Sequence, residues 1–248
     1  MNNRKSFLFV LPLIALVLMS CRVSGVSFNR ESVRGSGNLV TETREFSGIE
    51  RVSLEGIGDL EIVQGNTEGL TIETDDNLME YLEIEMRGRE LVLGIRDGVS
   101  IQGDWTINYT LQVKDLDRIQ VSGAGDVTAE ALETGDLALE ITGSGNMIIN
   151  ELNAEDLTVR VSGSGNLDLA GEVASEDLTI TGAGNFTAGD LQSDRASVRI
   201  SGAGNVTTWA TNNLDVTITG FGSVSYYGKP SVSQNISGSG EIKSLGEK

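Results

Sequence analysis

The chain has 248 residues, enough for one large domain or two small ones with a sizeable core. Its 31 glycines stand against two prolines, and without a Gly-X-Y period they mark recurrent tight turns and not collagen. The absence of histidine, the single cysteine and a formal charge of −18 remove the commonest general base, the commonest zinc ligand, any internal disulfide framework and a nucleic-acid partner, whose phosphates need clustered Lys and Arg.

At the start of the chain Arg4 and Lys5 precede a nearly unbroken apolar run from Phe7 to Met19. That run is short for a spanning helix and of the right length for a signal-peptide core. It ends at Leu18-Met19-Ser20-Cys21, which resembles a bacterial lipobox (Leu-x-small-Cys) and contains the sole cysteine of the chain. Residues 1–21 therefore read as a lipoprotein signal, with Cys21 as the lipidation site and a membrane as the partner of its acyl chains; an ordinary cleaved signal with a chance cysteine is the alternative. Loss of Arg4 and Lys5 on cleavage takes the charge from −18 to −20. Residues 22–34 read as a tether, and the expected address is the cell envelope, on the outer membrane, with the leaflet left open.

Residues 35–118 read as an irregular β region. A corner is expected at Gly35-Ser36-Gly37-Asn38, and the stretch from Ile49 to Leu60 mirrors the one from Leu116 to Val127. Leu70 to Glu73, Tyr81 to Met86, Leu91 to Ile95 and Thr106 to Val113 read as strands, with turns at Asp75-Asp76-Asn77 and Arg87-Gly88-Arg89. These strands are expected to continue the stack described next or to cap its first coil, because an open end exposes unpaired strand edges.

Residues 119–248 repeat. An apolar residue, Ser or Thr, Gly-small-Gly and a polar residue recur with first glycines at Gly123, Gly143, Gly163, Gly182, Gly202, Gly220 and Gly238, a period of 18 to 20 residues. Between them apolar residues alternate, as in Leu137, Leu139 and Ile141 or Met147 and Ile149, which is a strand period and not a helical one. One such coil cannot bury its inward residues alone; stacked coils align equivalent strands at about 4.8 Å around a continuous apolar interior. The predicted fold is therefore all-β, a right-handed parallel β-helix or β-solenoid with coils of about 20 residues. Positive φ at the corner glycines, tolerated in turn by the following Asn, is the expected reason for the glycines. Asn146, Asn166, Asn185 and Asn205 would then form a structural turn ladder, each amide bonding its neighbour in the next coil.

The chain resembles the family described as putative auto-transporter adhesin, head GIN domain, of Bacteroidetes-type bacteria. The residues carrying the resemblance are Gly35-Ser36-Gly37-Asn38, Thr41-Glu42-Thr43-Arg44, Phe46-Ser47-Gly48-Ile49, the stretch from Leu54 to Gly65, and the Gly-x-Gly-Asn series from Gly123 to Gly204. The likeness runs from about residue 35 to 245. It implies a β-helical envelope protein with an adhesive or scaffold role and supplies no catalytic residues.

Three surface features are candidate sites. Calcium-binding RTX repeats use Gly-Gly-x-Gly-x-Asp every nine residues; here the period is about twice that and only Asp59 and Asp126 carry a carboxylate at the equivalent place, so no metal site is expected. Asp136, Asp156 and Asp177, each followed by leucine, read as a solvated acidic column. Trp209 and Tyr227 fall at the same offset in adjacent coils, with Tyr226 and Phe221 nearby; such rings either dock a sugar or a partner chain or cover the last coil. Neither a catalytic residue nor a cofactor is expected, since no pair of carboxylates is placed by a motif and the coils leave no long loops. The predicted function is an envelope solenoid presenting a surface to an unknown protein or glycan partner. The alternatives are a periplasmic structural or signalling accessory and, more remotely, a polysaccharide-active β-helix enzyme.

Overall fold

A computed structural model describes residues 30–248. The signal segment, Cys21 and residues 22–29 of the expected tether lie outside the described residues. The strands, in chain order, are β1 (Glu31–Arg34), β2 (Leu39–Arg44), β3 (Arg51–Leu54), β4 (Asp59–Gln64), β5 (Gly69–Asp75), β6 (Leu82–Arg87), β7 (Glu90–Ile95), β8 (Val99–Gln102), β9 (Ile107–Val113) and β10 (Arg118–Val121). The long strands β11 (Val127–Ile141), β12 (Met147–Val161), β13 (Leu167–Ile180), β14 (Phe186–Ile200) and β15 (Val206–Ile218) follow, then β16 (Phe221–Tyr227), β17 (Ser231–Ile236) and β18 (Ser239–Gly246). Strands β10 to β18 stack in parallel with Val127 beside Met147, Met147 beside Leu167, Leu167 beside Phe186, Phe186 beside Val206, and Val206 beside Val224. The molecule is thus a β-solenoid whose coils have the length of the sequence repeat.

Alternation puts every second residue inside. Leu139, Val159, Leu178, Val198 and Val216 form one buried column, and Val127, Met147, Leu167, Phe186, Val206 and Val224 another. Each buried aliphatic side chain contributes about 1.5–3 kcal/mol by leaving water. No coil has that gain without its neighbours, so the stack folds as a unit.

The corner glycines are explained differently from the sequence expectation. Among the described residues no non-glycine residue has positive φ, and the corner glycines from Gly123 to Gly240 are not among the positive-φ glycines, so left-handed backbone is not their purpose. The coils meet there backbone to backbone. A Cβ on Gly143 would lie 1.9 Å from the Gly123 carbonyl oxygen, and one on Gly145 would lie 1.8 Å from that of Gly125. The columns repeat through Gly163, Gly182 and Gly202, and through Gly165, Gly184 and Gly204, and only a hydrogen atom fits between the rungs. Positive φ is found instead at Gly37 (φ 80) and Gly58 (φ 106) in the N-terminal corners, at Gly171 (φ 128) at the irregular junction of β12 with β13, and at Gly228 (φ 96) after β16.

The N-terminal region both continues the stack and caps it. β7 runs parallel to β3 and β9 parallel to β4, so these later strands form the layer beneath the earlier ones. Below that layer β6 lies antiparallel on β7, and β5 and β2 complete an antiparallel closure on β9. Glu31–Arg34, placed in the tether by the sequence reading, instead form β1, which pairs with β8. Asp75, buried at the end of β5, ties the cap together: one carboxylate oxygen accepts the Gly37 N–H at 2.6 Å and the other accepts the Thr106 N–H at 2.9 Å. This is why the turn around Gly35 to Asn38 sits where it does. Asp75→Ala leaves both donors unpaired, and urea unfolding is expected to show a loss of about 2–3 kcal/mol.

Candidate binding surface

The asparagines of the repeat line one outer edge. Asn166 donates its backbone N–H and its side-chain Nδ2 to the Oδ1 of Asn146, at 3.1 and 2.9 Å. Asn185 does the same to Asn166 (3.1 and 2.9 Å), and Asn205 to Asn185 (3.2 and 3.3 Å). At the lower end Asn146 donates to the Asp126 carboxylate at 2.7 and 3.0 Å. Asp126, in register above Asp59, has no side-chain N–H to donate to it, so the amide ladder starts at the Asp126 carboxylate. The Oδ1 atoms of Asn146, Asn166 and Asn185 are each thereby engaged by the next coil.

The acidic column does not have the composition read from sequence. Asp136 pairs in register with Asp156, but Asp156 pairs with Ser175, and Asp177 lies beside Thr158. The coil from Leu167 to Phe186 is one residue short, which moves Asp177 out of the row. Ser175 then faces Arg195, so the row passes from two carboxylates to a hydroxyl and a guanidinium, and Asp177 is bridged by Arg199 at 2.9 Å. A shallow groove runs here, lined by Asp117, Asp136, Asp156 and Asp177, with Arg51 and Arg118. Like charges at the roughly 4.8 Å strand spacing repel, and the register limits how many of them stack.

The four aromatic residues separate. Tyr226 is in register with buried Thr208, and its half-buried ring packs against the core. Phe221 occupies the middle of the corner Gly220-Phe221-Gly222 and is 71% exposed. Trp209 and Tyr227 are neighbours in register on the outer wall, each half-buried. The ammonium of Lys248 stands 5.6 Å from the Trp209 ring and 4.9 Å from the Tyr227 ring. It donates to the Gly189 carbonyl at 2.6 Å and contacts the Asp190 carboxylate. The result is an aromatic step with a cation over it, on a wall otherwise rich in Thr, Ser and carboxylates. Among the described residues no group of three or more His, Cys, Asp or Glu is arranged to hold a metal ion.

The family described as putative auto-transporter adhesin, head GIN domain, matches residues 46–230. The chain belongs to this family. No curated protein matches the sequence. The crystal structure of a putative adhesin from Bacteroides fragilis is similar, with 27% identity and a TM-score of 0.83 over 86% of this chain and all of that one. A putative adhesin from Parabacteroides merdae is similar at 26% identity and a TM-score of 0.69, over 87% of this chain and 99% of that one. A putative lipid binding protein from Parabacteroides distasonis, 24% identical with a TM-score of 0.71 over 87% of this chain and all of that one, shares the fold.

Inside this head GIN domain lies a group that the sequence reading missed. Glu176 occupies the inward column of Leu137, Leu157, Ala196 and Leu214 and is fully buried. Thr208, buried on another wall, donates its hydroxyl to one Glu176 oxygen at 2.9 Å; the other oxygen, Oε1, has no partner. Burial pushes the Glu176 carboxyl up to about 7, against the lowering by Thr208 and with a smaller push from Asp177. The signal was present but masked. Asp177-Leu178 imitates the Asp-Leu pairs of the two preceding coils, and only the one-residue deletion shows that Glu176 stands at the leucine position. Lys248 and Asp190 were missed for another reason: they meet across 58 residues of chain, and no repeat links them.

Proposed function

We propose that this head GIN domain protein is an adhesin-like component of the cell envelope, held to a membrane through acylated Cys21, whose solenoid wall binds a protein or glycan without catalysing a reaction. Membership of a family described as adhesins supports the adhesive part of this reading, and the signal segment with its lipobox supports the anchor. The observation that carries the proposal is the Trp209–Tyr227 step. Two rings in register on adjacent coils offer a flat face of the kind that stacks on sugar rings or on a partner's side chains, and the stacked strands hold both rings without loops. Lys248 lies over both rings, held by the Gly189 carbonyl and the Asp190 carboxylate, so a ligand that stacks on this face takes the place of that cation.

Protease treatment of intact cells is expected to release the solenoid into the medium. Cells bearing Trp209→Ala with Tyr227→Ala are expected to lose adhesion to protein- or glycan-coated surfaces by tenfold or more, as for a central aromatic anchor. Full protection of the chain from protease would sink the surface reading and leave a periplasmic accessory. Unchanged adhesion by the double variant would remove the aromatic step as the site.

A further inference from the structure

The two ends of the solenoid are finished differently. At the capped end the outermost strands β6 and β2 are antiparallel to their neighbours and carry Glu83, Glu85 and Arg87, and Glu42 and Arg44. Charged side chains on an edge discourage pairing with another chain. At the opposite end β17 pairs with β15 and β18 with β16, and among the described residues nothing pairs with the far edge of either. β17 carries no charged residue, and all six of its residues are exposed.

The exposed residues of β17 are core positions that no further strand covers among the described residues. Val232 continues the column of Leu214, Gln234 that of Val216 and Ile236 that of Ile218. Leu214 and Ile218 are 0% exposed, whereas Val232 and Ile236 are 38% and 39% exposed. On the other arm Ile242 continues the column of Val224. Electrostatics single out the same end. Of 36 acidic residues only Glu241 and Glu247 lie beyond Asp215, against Lys229, Lys243 and Lys248. A copy approaching a wall meets a strongly acidic surface like its own, whereas a copy approaching the last coil meets a nearly neutral one.

We propose that this open end binds a second copy of the chain, end coil against end coil, about a two-fold axis. Head-to-tail stacking would bring the open end against the charged antiparallel cap, which offers no matching parallel edge. Two like ends related by a two-fold axis place β17 antiparallel to the partner copy's equivalent strand, which continues the sheet through the free N–H and C=O groups and covers Val232, Ile236 and Ile242. Because β1 and the cap lie at the far end of each copy, the first described residues of the two copies lie at opposite ends of the pair. Copies anchored as proposed above would then join two membranes; that consequence rests on the anchor, and the pairing itself does not.

Sedimentation of the full chain, purified from membranes in detergent, tests the pairing at micromolar concentrations. The expected result is a dimer. Val232→Glu with Ile236→Glu, both at exposed sites, is expected to give a monomer with an unaltered far-ultraviolet dichroism spectrum. Phe221→Ser, at an exposed corner, is expected to leave the dimer intact. A monomeric parent chain overturns the proposal, and so does a dimer that survives the double substitution or that Phe221→Ser dissolves. Cys21→Ser separates the two readings: it is expected to abolish membrane retention and to leave the sedimentation behaviour unchanged.

Discussion

Gly145→Ala is expected to destabilise the protein by more than about 3 kcal/mol, or to prevent folding of the repeat region, although alanine is the smallest change a glycine can undergo. The reason is not backbone strain, since Gly145 does not have positive φ. Its added methyl carbon would sit 1.8 Å from the Gly125 carbonyl oxygen and 2.9 Å from a Val121 methyl group. Neither neighbour can retreat. The Gly125 backbone is fixed by its own coil, and the rungs on both sides are held at hydrogen-bonding distance, with the Ser144 N–H on the Gly123 carbonyl at 3.0 Å and the Ser164 N–H on that of Gly143 at 2.9 Å. Relief would require parting two coils and with them the buried columns on either side. Gly135 is the internal control: it also lacks positive φ, and a Cβ there meets nothing within 4 Å. Gly135→Ala is expected to be neutral or to stabilise by up to about 1 kcal/mol through reduced freedom of the unfolded chain. Guanidinium unfolding of the two variants beside the parent checks both, with the midpoint far lower for Gly145→Ala and unchanged or higher for Gly135→Ala.

The second large effect is a pH dependence set by Glu176. Its carboxyl is raised in the folded protein to about 7 from an ordinary value of 4.5, so between those values the folded state holds a proton that the unfolded state has released. Stability from this group is therefore complete below about pH 4.5, declines as pH rises through the interval, and is gone above about 7. A shift of that size corresponds to roughly 3 kcal/mol. Glu176→Gln keeps the shape and the bond from Thr208 while removing the titration. Denaturant unfolding between pH 5 and 8 is expected to show the parent losing stability relative to this variant by roughly 2.5 kcal/mol as pH rises. Taking the difference cancels the general repulsion among the carboxylates, which both proteins share. Parallel stability curves would show that the buried carboxyl does not titrate in this range. Glu176→Leu restores the residue type of Leu137 and Leu157 in the same column and is expected to raise stability at pH 8 above that of the parent, because it removes a buried group whose Oε1 has no partner.

Much of this architecture is legible in the sequence because the solenoid is a local rule applied repeatedly. The alternation of Leu157, Val159 and Val161 names an inward face, and the recurrence of the same face one period later names the neighbour it packs against. The resemblance carried by Leu54 to Gly65 and by the Gly-x-Gly-Asn series extends to the family itself. Where the period slips, the local rule stops helping. The coil shortened at Gly171 puts Glu176 in the core and takes Asp177 out of the acidic row, and both follow from a choice of register that only the stacked neighbours make. The glycine corners show a related limit. Their spacing was readable, but their reason was not, because a collision with the carbonyl of another coil has no counterpart within a single repeat.

The sequence by itself determined the strand period, the coil length, the parallel stacking and the acidic character of the outer wall, since these depend on which residue types recur and at what interval. Tertiary structure alone decided that β7 and β9 slide beneath β3 and β4, that Asp75 joins the Gly37 turn to Thr106, that Lys248 lies over Trp209 and Tyr227, and that one end is closed while the other is open. Each of these is a meeting of segments without a shared repeat. It is fixed by which edges remain unpaired and which apolar faces remain uncovered once the regular coils have formed, and that remainder exists only in the assembled stack.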